Sequence, residues 1–145
     1  MKNIFLICLL VGCGFAATIL ALPKPSSQNQ AEPQSNKSNV TIEGLVRDIA
    51  CPIQNLEASA TEFNMQCAVE CARHGSPLAI QTKDGTLYIP ISDSMPDTDQ
   101  RPKMMPFVGK YVRASGTVYE RKGTRAIVIG KIEELKDVHL KTNAQ

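Results

Sequence analysis

Leu78-Ala79-Ile80-Gln81-Thr82-Lys83-Asp84-Gly85-Thr86-Leu87-Tyr88-Ile89-Pro90-Ile91 is the stretch whose reading decides the fold. Two short runs rich in Ile, Leu, Thr and Tyr flank Asp84-Gly85, a dipeptide that favours a tight hairpin because glycine takes a positive φ without steric cost. Two antiparallel strands are expected here. Pro90 has no amide hydrogen to give a neighbour, so it places the second strand at an edge or near its end.

Upstream, Val40 to Asp48 alternates apolar and polar residues around Gly44, as a half-buried strand with a bend or bulge does. Pro52 should end its pairing, which leaves Cys51 at the strand's end and Pro52 to Ala58 as a loop. Ser59-Ala60-Thr61-Glu62 has the form of a capping box, so a helix is expected from about Ala60 to Arg73, with Gly75 ending it. Downstream, Ser92 to Pro106 reads as a long surface loop. Tyr111 to Tyr119 and Ala126 to Ile132 are two further strands around Lys122-Gly123, and the chain from Glu133 onward reads as a frayed tail. Five short strands and one helix predict a mainly β protein, a small five-stranded OB-like barrel, with an open α+β sheet as the alternative. Closure removes the exposed strand edges that invite aggregation. The usual oligonucleotide- and oligosaccharide-binding barrel carries its helix between the third and fourth strands, so a helix after the first strand is a departure.

The 145 residues have room for one such domain. Residues 1–22 read as a signal peptide or N-terminal anchor, 23–39 as a disordered linker, 40–137 as the barrel domain and 138–145 as a tail. Lys2 precedes a run without charge from Ile4 to Leu22, which is the form of a secretory signal. Three exits compete: cleavage after Ala21, an uncleaved membrane anchor, or a lipid on Cys13 after Leu10-Val11-Gly12. Each delivers the domain to the periplasm or cell envelope, and membrane contact is expected only through the leader or that lipid. The linker is rich in Ser, Gln, Asn and Pro and cannot bury enough apolar surface to order itself. Asn36-Lys37-Ser38 and Asn39-Val40-Thr41 match the glycosylation triplet, a pattern short enough to arise by chance, and a plain tether is the preferred reading. Lys and Arg number 16 against 14 Asp and Glu, but Lys2, Lys24, Lys37 and Glu32 belong to the leader and linker. The chain from Val40 therefore holds 13 of each sign. A neutral body lacks the basic footprint of a nucleic-acid binder.

An exported domain keeps three of the five cysteines, Cys51, Cys67 and Cys71, since Cys8 and Cys13 lie in the leader. Three thiols cannot all pair within one chain, so at least one is free, metal-bound or shared with another molecule. Cys67 and Cys71 sit one helical turn apart, a spacing that suits two ligands of one metal better than a disulfide between them. With His74 one turn further on, Cys51, Cys67, Cys71 and His74 have the composition of a Cys3His zinc site, and their softness also suits copper as Cu(I). The plainer reading is a disulfide of Cys51 with Cys67 or Cys71 that pins the helix to the first strand. His74 is then only a cation near a helix C-terminus. Met95, Met104 and Met105 read as residues capping a barrel mouth rather than thioether ligands, and Asp93, Asp97 and Asp99 as solvated loop charge rather than a calcium loop.

The pattern Gly44-x-Val46-x-Asp48-x-x-Cys51, Cys67-x-x-x-Cys71, Gly75-x-Pro77, Asp84-Gly85-x-x-Tyr88 and Gly109-Lys110-x-Val112-x-x-x-Gly116 resembles a group of small exported bacterial proteins with an OB-like fold and three cysteines. The resemblance runs from Val40 to Leu135. It implies the fold, export and the cysteine spacing, and it supplies no reaction. Some members carry a further His before the CxxxC, where this chain has Phe63-Asn64-Met65-Gln66, a difference that weighs against a His-rich site.

The chain has no glycine-rich phosphate cradle and no nucleophile elbow, and its only histidines are His74 and His139. A non-enzymatic envelope binding module is therefore preferred to an enzyme, with the cysteine site as staple or soft-metal site. A periplasmic thiol-disulfide redox protein and a structural adaptor for a protein or glycan are the alternatives.

Overall fold

The computed structural model describes residues 36–142; residues 1–35, expected as leader and tether, and 143–145 lie outside them. Strand β1 (Asn36–Asp48) is followed by a short helix α1 (Ala50–Gln54), strand β2 (Glu62–Phe63) and helix α2 (Met65–Arg73). Then come β3 (Leu78–Thr82), β4 (Leu87–Ile91), helix α3 (Arg101–Met104) with a 3-10 turn Met105–Phe107, β5 (Tyr111–Arg121), β6 (Thr124–Glu134) and β7 (Lys141–Thr142). Five of these strands close a barrel in the order β1-β3-β4-β6-β5, and β5 returns to β1. The β4–β6 pair is parallel and the other barrel pairs are antiparallel. The small five-stranded OB-like barrel is therefore the fold, and the open sheet is excluded. No helix among the described residues is long and apolar enough to cross a membrane.

β1 makes closure possible because it pairs with β5 along Asn36–Leu45 and with β3 along Gly44–Asp48, so that Gly44 and Leu45 are paired on both sides. Gly44 faces Thr82 of β3 and Val112 of β5. A Cβ at Gly44 would run into the Gln81 carbonyl, so only glycine lets the two neighbouring backbones come this close. The bulge lies at Ser115/Gly116, where the β5–β6 register shifts and a Cβ would meet the Val128 carbonyl. Lys122 and Gly123 both take positive φ, the geometry of a two-residue turn whose twist matches the flanking strands.

The hairpin at Asp84-Gly85 forms as expected, and the Asp84 carboxylate organises it. It accepts from the Thr86 amide at 3.2 Å, from the Thr86 hydroxyl at 3.1 Å and from the Thr82 hydroxyl. These bonds, the Thr82 hydroxyl first, hold the Asp84 carboxyl below its ordinary 3.8. A carboxylate with a depressed folded pKa stabilises above its unfolded value and loses that contribution as pH falls through the folded one. Amide exchange at Thr86 should therefore lose protection on acidification below about pH 3.8, and Asp84→Asn should remove that pH dependence.

Side-chain alternation sends Ile42, Val46, Ile80, Val112, Ala114, Val118, Ile127 and Ile129 into the barrel, where all are buried. The stretch from Ser92 to Pro106, expected as loop, ends in α3 and the 3-10 turn, between the third and fourth barrel strands. The OB helix position is thus filled, and α2 is an addition to it. The thioether of Met104 is fully buried in the barrel core, Met105 is partly buried against it, and Met95 is 91% exposed, so the three methionines do not converge. Met104→Ala should cost about 2–5 kcal/mol, measured by denaturant unfolding, because it opens a cavity at the barrel's end. Arg101 ties that end to the end of α2: its guanidinium donates to the Ala72 carbonyl at 2.5 Å, which also accepts from the Gly75 amide, and to the Ser76 carbonyl just beyond the helix at 2.7 Å.

Other sequence expectations change as well. The helix expected from Ala60 begins at Met65, because Ser59 Oγ accepts from the amides of Thr61 and Glu62 and makes a turn that leads into β2. The tail expected to fray from Glu133 stays attached. Leu135, Val138 and Leu140 pack on a second core of Leu45, Ala60, Phe63, Ala68 and Tyr111, outside the barrel, and β7 pairs in parallel with β2. Finally, Asn36–Asn39, within the expected tether, are strand, pairing with β5 as far as Glu120.

Candidate functional site

Cys51 and Cys67 are placed by the same local device. β1 ends at Asp48, and the Asp48 carboxylate Oδ1 accepts from the Cys51 amide three residues on, at 2.9 Å. At the start of α2, Asn64 Oδ1 accepts from the Cys67 amide, again three residues on, at 2.8 Å. Each is a short Asx side chain satisfying an amide that a helix start leaves without an intrahelical partner. Pro52 is tolerated in the first turn of α1 for the same reason, since its missing amide hydrogen has no partner to lose there. Cys51 thus stands in the first turn of a short helix rather than at the strand's end. The Ile49 amide donates to the Pro77 carbonyl at 3.0 Å, which fastens the start of α1 to the segment leaving α2.

Cys71 follows Cys67 by four residues on α2 and shares its face. The structure brings the three sulfurs together. Cys51 Sγ lies 3.4 Å from Cys67 Sγ, Cys67 Sγ lies 3.8 Å from Cys71 Sγ, and all three fall within 4.8 Å of one another. All three are half-buried free thiols. The 3.4 Å contact is well beyond the bond length of about 2.05 Å, so no disulfide joins them. An ion holding thiolates tetrahedrally at about 2.3 Å sets the sulfurs about 3.8 Å apart. The cluster has that scale, and among the described residues it is the one group of cysteines, histidines and carboxylates that does.

His74 is not in it. It caps α2 at the C-terminus with its side chain 83% exposed, and its Nε2 faces Glu70 Oε2 at 3.8 Å. One turn beyond Cys71 the helix ends and the chain turns at Gly75, so the stripe stops short of the site. The loop aspartates have local work: Asp97 accepts from the amide and hydroxyl of Ser92, both at 2.7 Å, and Asp99 accepts from the Arg101 amide at 2.9 Å.

Two charged side chains flanking the thiols are buried. Asp48 is fully buried, and its second oxygen, Oδ2, has no hydrogen-bond partner. Arg47, 1% exposed, projects from the opposite face of β1 and donates weakly to Ser59 O at 3.4 Å and Gln81 Oε1 at 3.3 Å. Gln81 Nε2 in turn donates to the Ala58 carbonyl at 3.0 Å, so Arg47 and Gln81 together hold the loop that carries the chain from α1 to β2. Burial pushes the Cys51 thiol above its ordinary value; its hydrogen bond with Cys67 and the Asp48 charge push it the same way, against the Arg47 guanidinium. The Cys71 thiol is also raised, by burial first and then by Asp48, against its hydrogen bond with Cys67. Neither is the depressed thiol of an activated nucleophile.

The sequence points to Cys51, Cys67, Cys71 and His74, of which the three cysteines converge, and not to Arg47, Asp48 and Asn64 as parts of the site. The repeated Asx-x-x-Cys spacing was the available signal for two of them. Beside the cluster a cavity of about 560 Å³ opens, with Cys51 and Cys67 in its lining. No family model, no curated protein and no solved structure matches the chain.

Proposed function

We propose that the protein is a non-enzymatic metal-binding module of the cell envelope that holds zinc or Cu(I) on the thiolates of Cys51, Cys67 and Cys71. The observation that carries this reading is the convergence of three sulfurs, from two separate helices, within 4.8 Å. Three soft ligands without a fourth suit Cu(I), or zinc with a fourth position left to solvent or a partner. The raised Cys51 and Cys71 thiols are unlike activated redox nucleophiles, and a bound cation would have to displace their protons. The envelope location rests on the leader.

The 3.4 Å contact favours one second reading, a disulfide between Cys51 and Cys67 made by a disulfide-bearing oxidant, with Cys71 left as the third thiol. Intact mass under native and denaturing conditions, with free thiols counted, separates the two. Three free thiols after denaturation and one metal per chain in the native mass support the metal module. One free thiol and no metal gives the disulfide reading and ends the metal one.

A further inference from the structure

We propose that the cavity beside Cys51 and Cys67 binds a small monoanionic carboxylate, held by Arg47. The cavity, about 560 Å³, is of the size that takes small molecules, and its lining includes Arg47, Cys51, Glu57, Glu62, Asn64 and Cys67. Arg47 is the reason to expect an anion. Its side chain is 1% exposed, yet none of the ion pairs among the described residues includes it. Its Nε has no partner, and its two bonds through NH1, at 3.4 and 3.3 Å, go to neutral oxygens. The Phe63 ring, 5.7 Å from the guanidinium carbon, offers only a weak counterpart to the charge.

A buried cation is unfavourable unless an anion meets it, and a guanidinium matches a carboxylate through two parallel donors. The neighbouring Asp48 does not serve: successive side chains of a strand point to opposite faces, and its second oxygen and the Arg47 Nε are both left without a partner. Glu57 and Glu62 are exposed where they line the same cavity, and Glu62 faces Lys141 at 3.9 Å. They repel a second negative charge, which selects a monoanion over sulfate or a dicarboxylate. The site requires no metal, so it stands or falls separately from the metal reading.

The test is a titration of the full chain, reduced and metal-free, with sodium acetate, followed by two-dimensional ¹⁵N spectra against sodium chloride at equal ionic strength. The expected result is a saturable shift of the Arg47 Nε–H and Cys51 amide signals. Sulfate should bind more weakly, and Glu57→Gln with Glu62→Gln, both at exposed positions, should reduce the advantage of acetate over sulfate by about threefold. Arg47→Gln should abolish saturation; the wild-type titration stands without it should that variant fail to fold. A response that stays linear or equals that of chloride would overturn the proposal, as would sulfate binding as tightly as acetate.

Discussion

If the proposed site holds the metal, Cys67→Ser should lower the affinity for zinc or Cu(I) by about a hundredfold or more, because a direct thiolate ligand would be lost where even outer partners are worth 10–100-fold. Cys67 is the variant to choose because it is the central sulfur, 3.4 Å from Cys51 and 3.8 Å from Cys71. Its removal leaves two thiols with no bridging neighbour. Serine keeps the size of the side chain, and Cys67 is only half-buried, so metal-free stability should change by less than about 1 kcal/mol. Competition titration against a chromophoric chelator reads the affinity, and thermal unfolding of the metal-free chain reads the fold. His74→Ala, on an 83% exposed side chain outside the cluster, should leave the affinity unchanged. An equal loss from both variants would mean that the metal is held elsewhere.

Phe63→Ala should destabilise the metal-free domain by about 3–5 kcal/mol, a large part of the 5–15 kcal/mol that holds a typical domain. Phe63 is 3% exposed and sits where several elements meet. It packs with Leu45 of β1, Ala68 of α2 and Tyr111 of β5, pairs with Thr142 of β7, and lies beneath the Arg47 guanidinium. Alanine would leave a cavity in the smaller core and remove the apolar cover from a buried charge, which raises the cost. The next residue, Asn64, caps α2 and positions Cys67, so the same change loosens the site. Chemical denaturation measures the first effect. A fall in Tm of roughly 15 °C is the corresponding thermal result for a domain of this size. A change under about 1 kcal/mol would mean that the outer layer is not coupled to the barrel.

The barrel was legible because its strands carry strong local signals: Asp84-Gly85, Lys122-Gly123 and the alternation on either side of each. The strand ends were less so. β5 and β6 run on to Arg121 and from Thr124 because each pairs with the other, a gain that no single segment displays. The outer layer was misread for a related reason. Arg47 and Gln81 occupy the polar phase of their strands and look solvent-facing, but the loop to β2 covers them, and their hydrogen bonds to Ala58 and Ser59 hold it down. Ser59 has the chemistry of a helix cap, yet it turns the chain into β2, and the cap falls to Asn64, five residues later. At the site, the cysteine spacing was informative because four residues on a helix place two sulfurs on one face. The distance from Cys51 to that face depends on where β1 stops and how α1 turns, which only the assembled fold determines. His74 shares the sequence periodicity of that face but lies past the end of the helix that would have carried it there.

The measurement that tests the central claim most directly is metal K-edge X-ray absorption on the full chain loaded with one equivalent of zinc. The expected spectrum requires three sulfur ligands at about 2.3 Å, with at most one light-atom ligand beside them. A zinc ion with one sulfur neighbour or none would contradict the assignment of Cys51, Cys67 and Cys71 as its ligands.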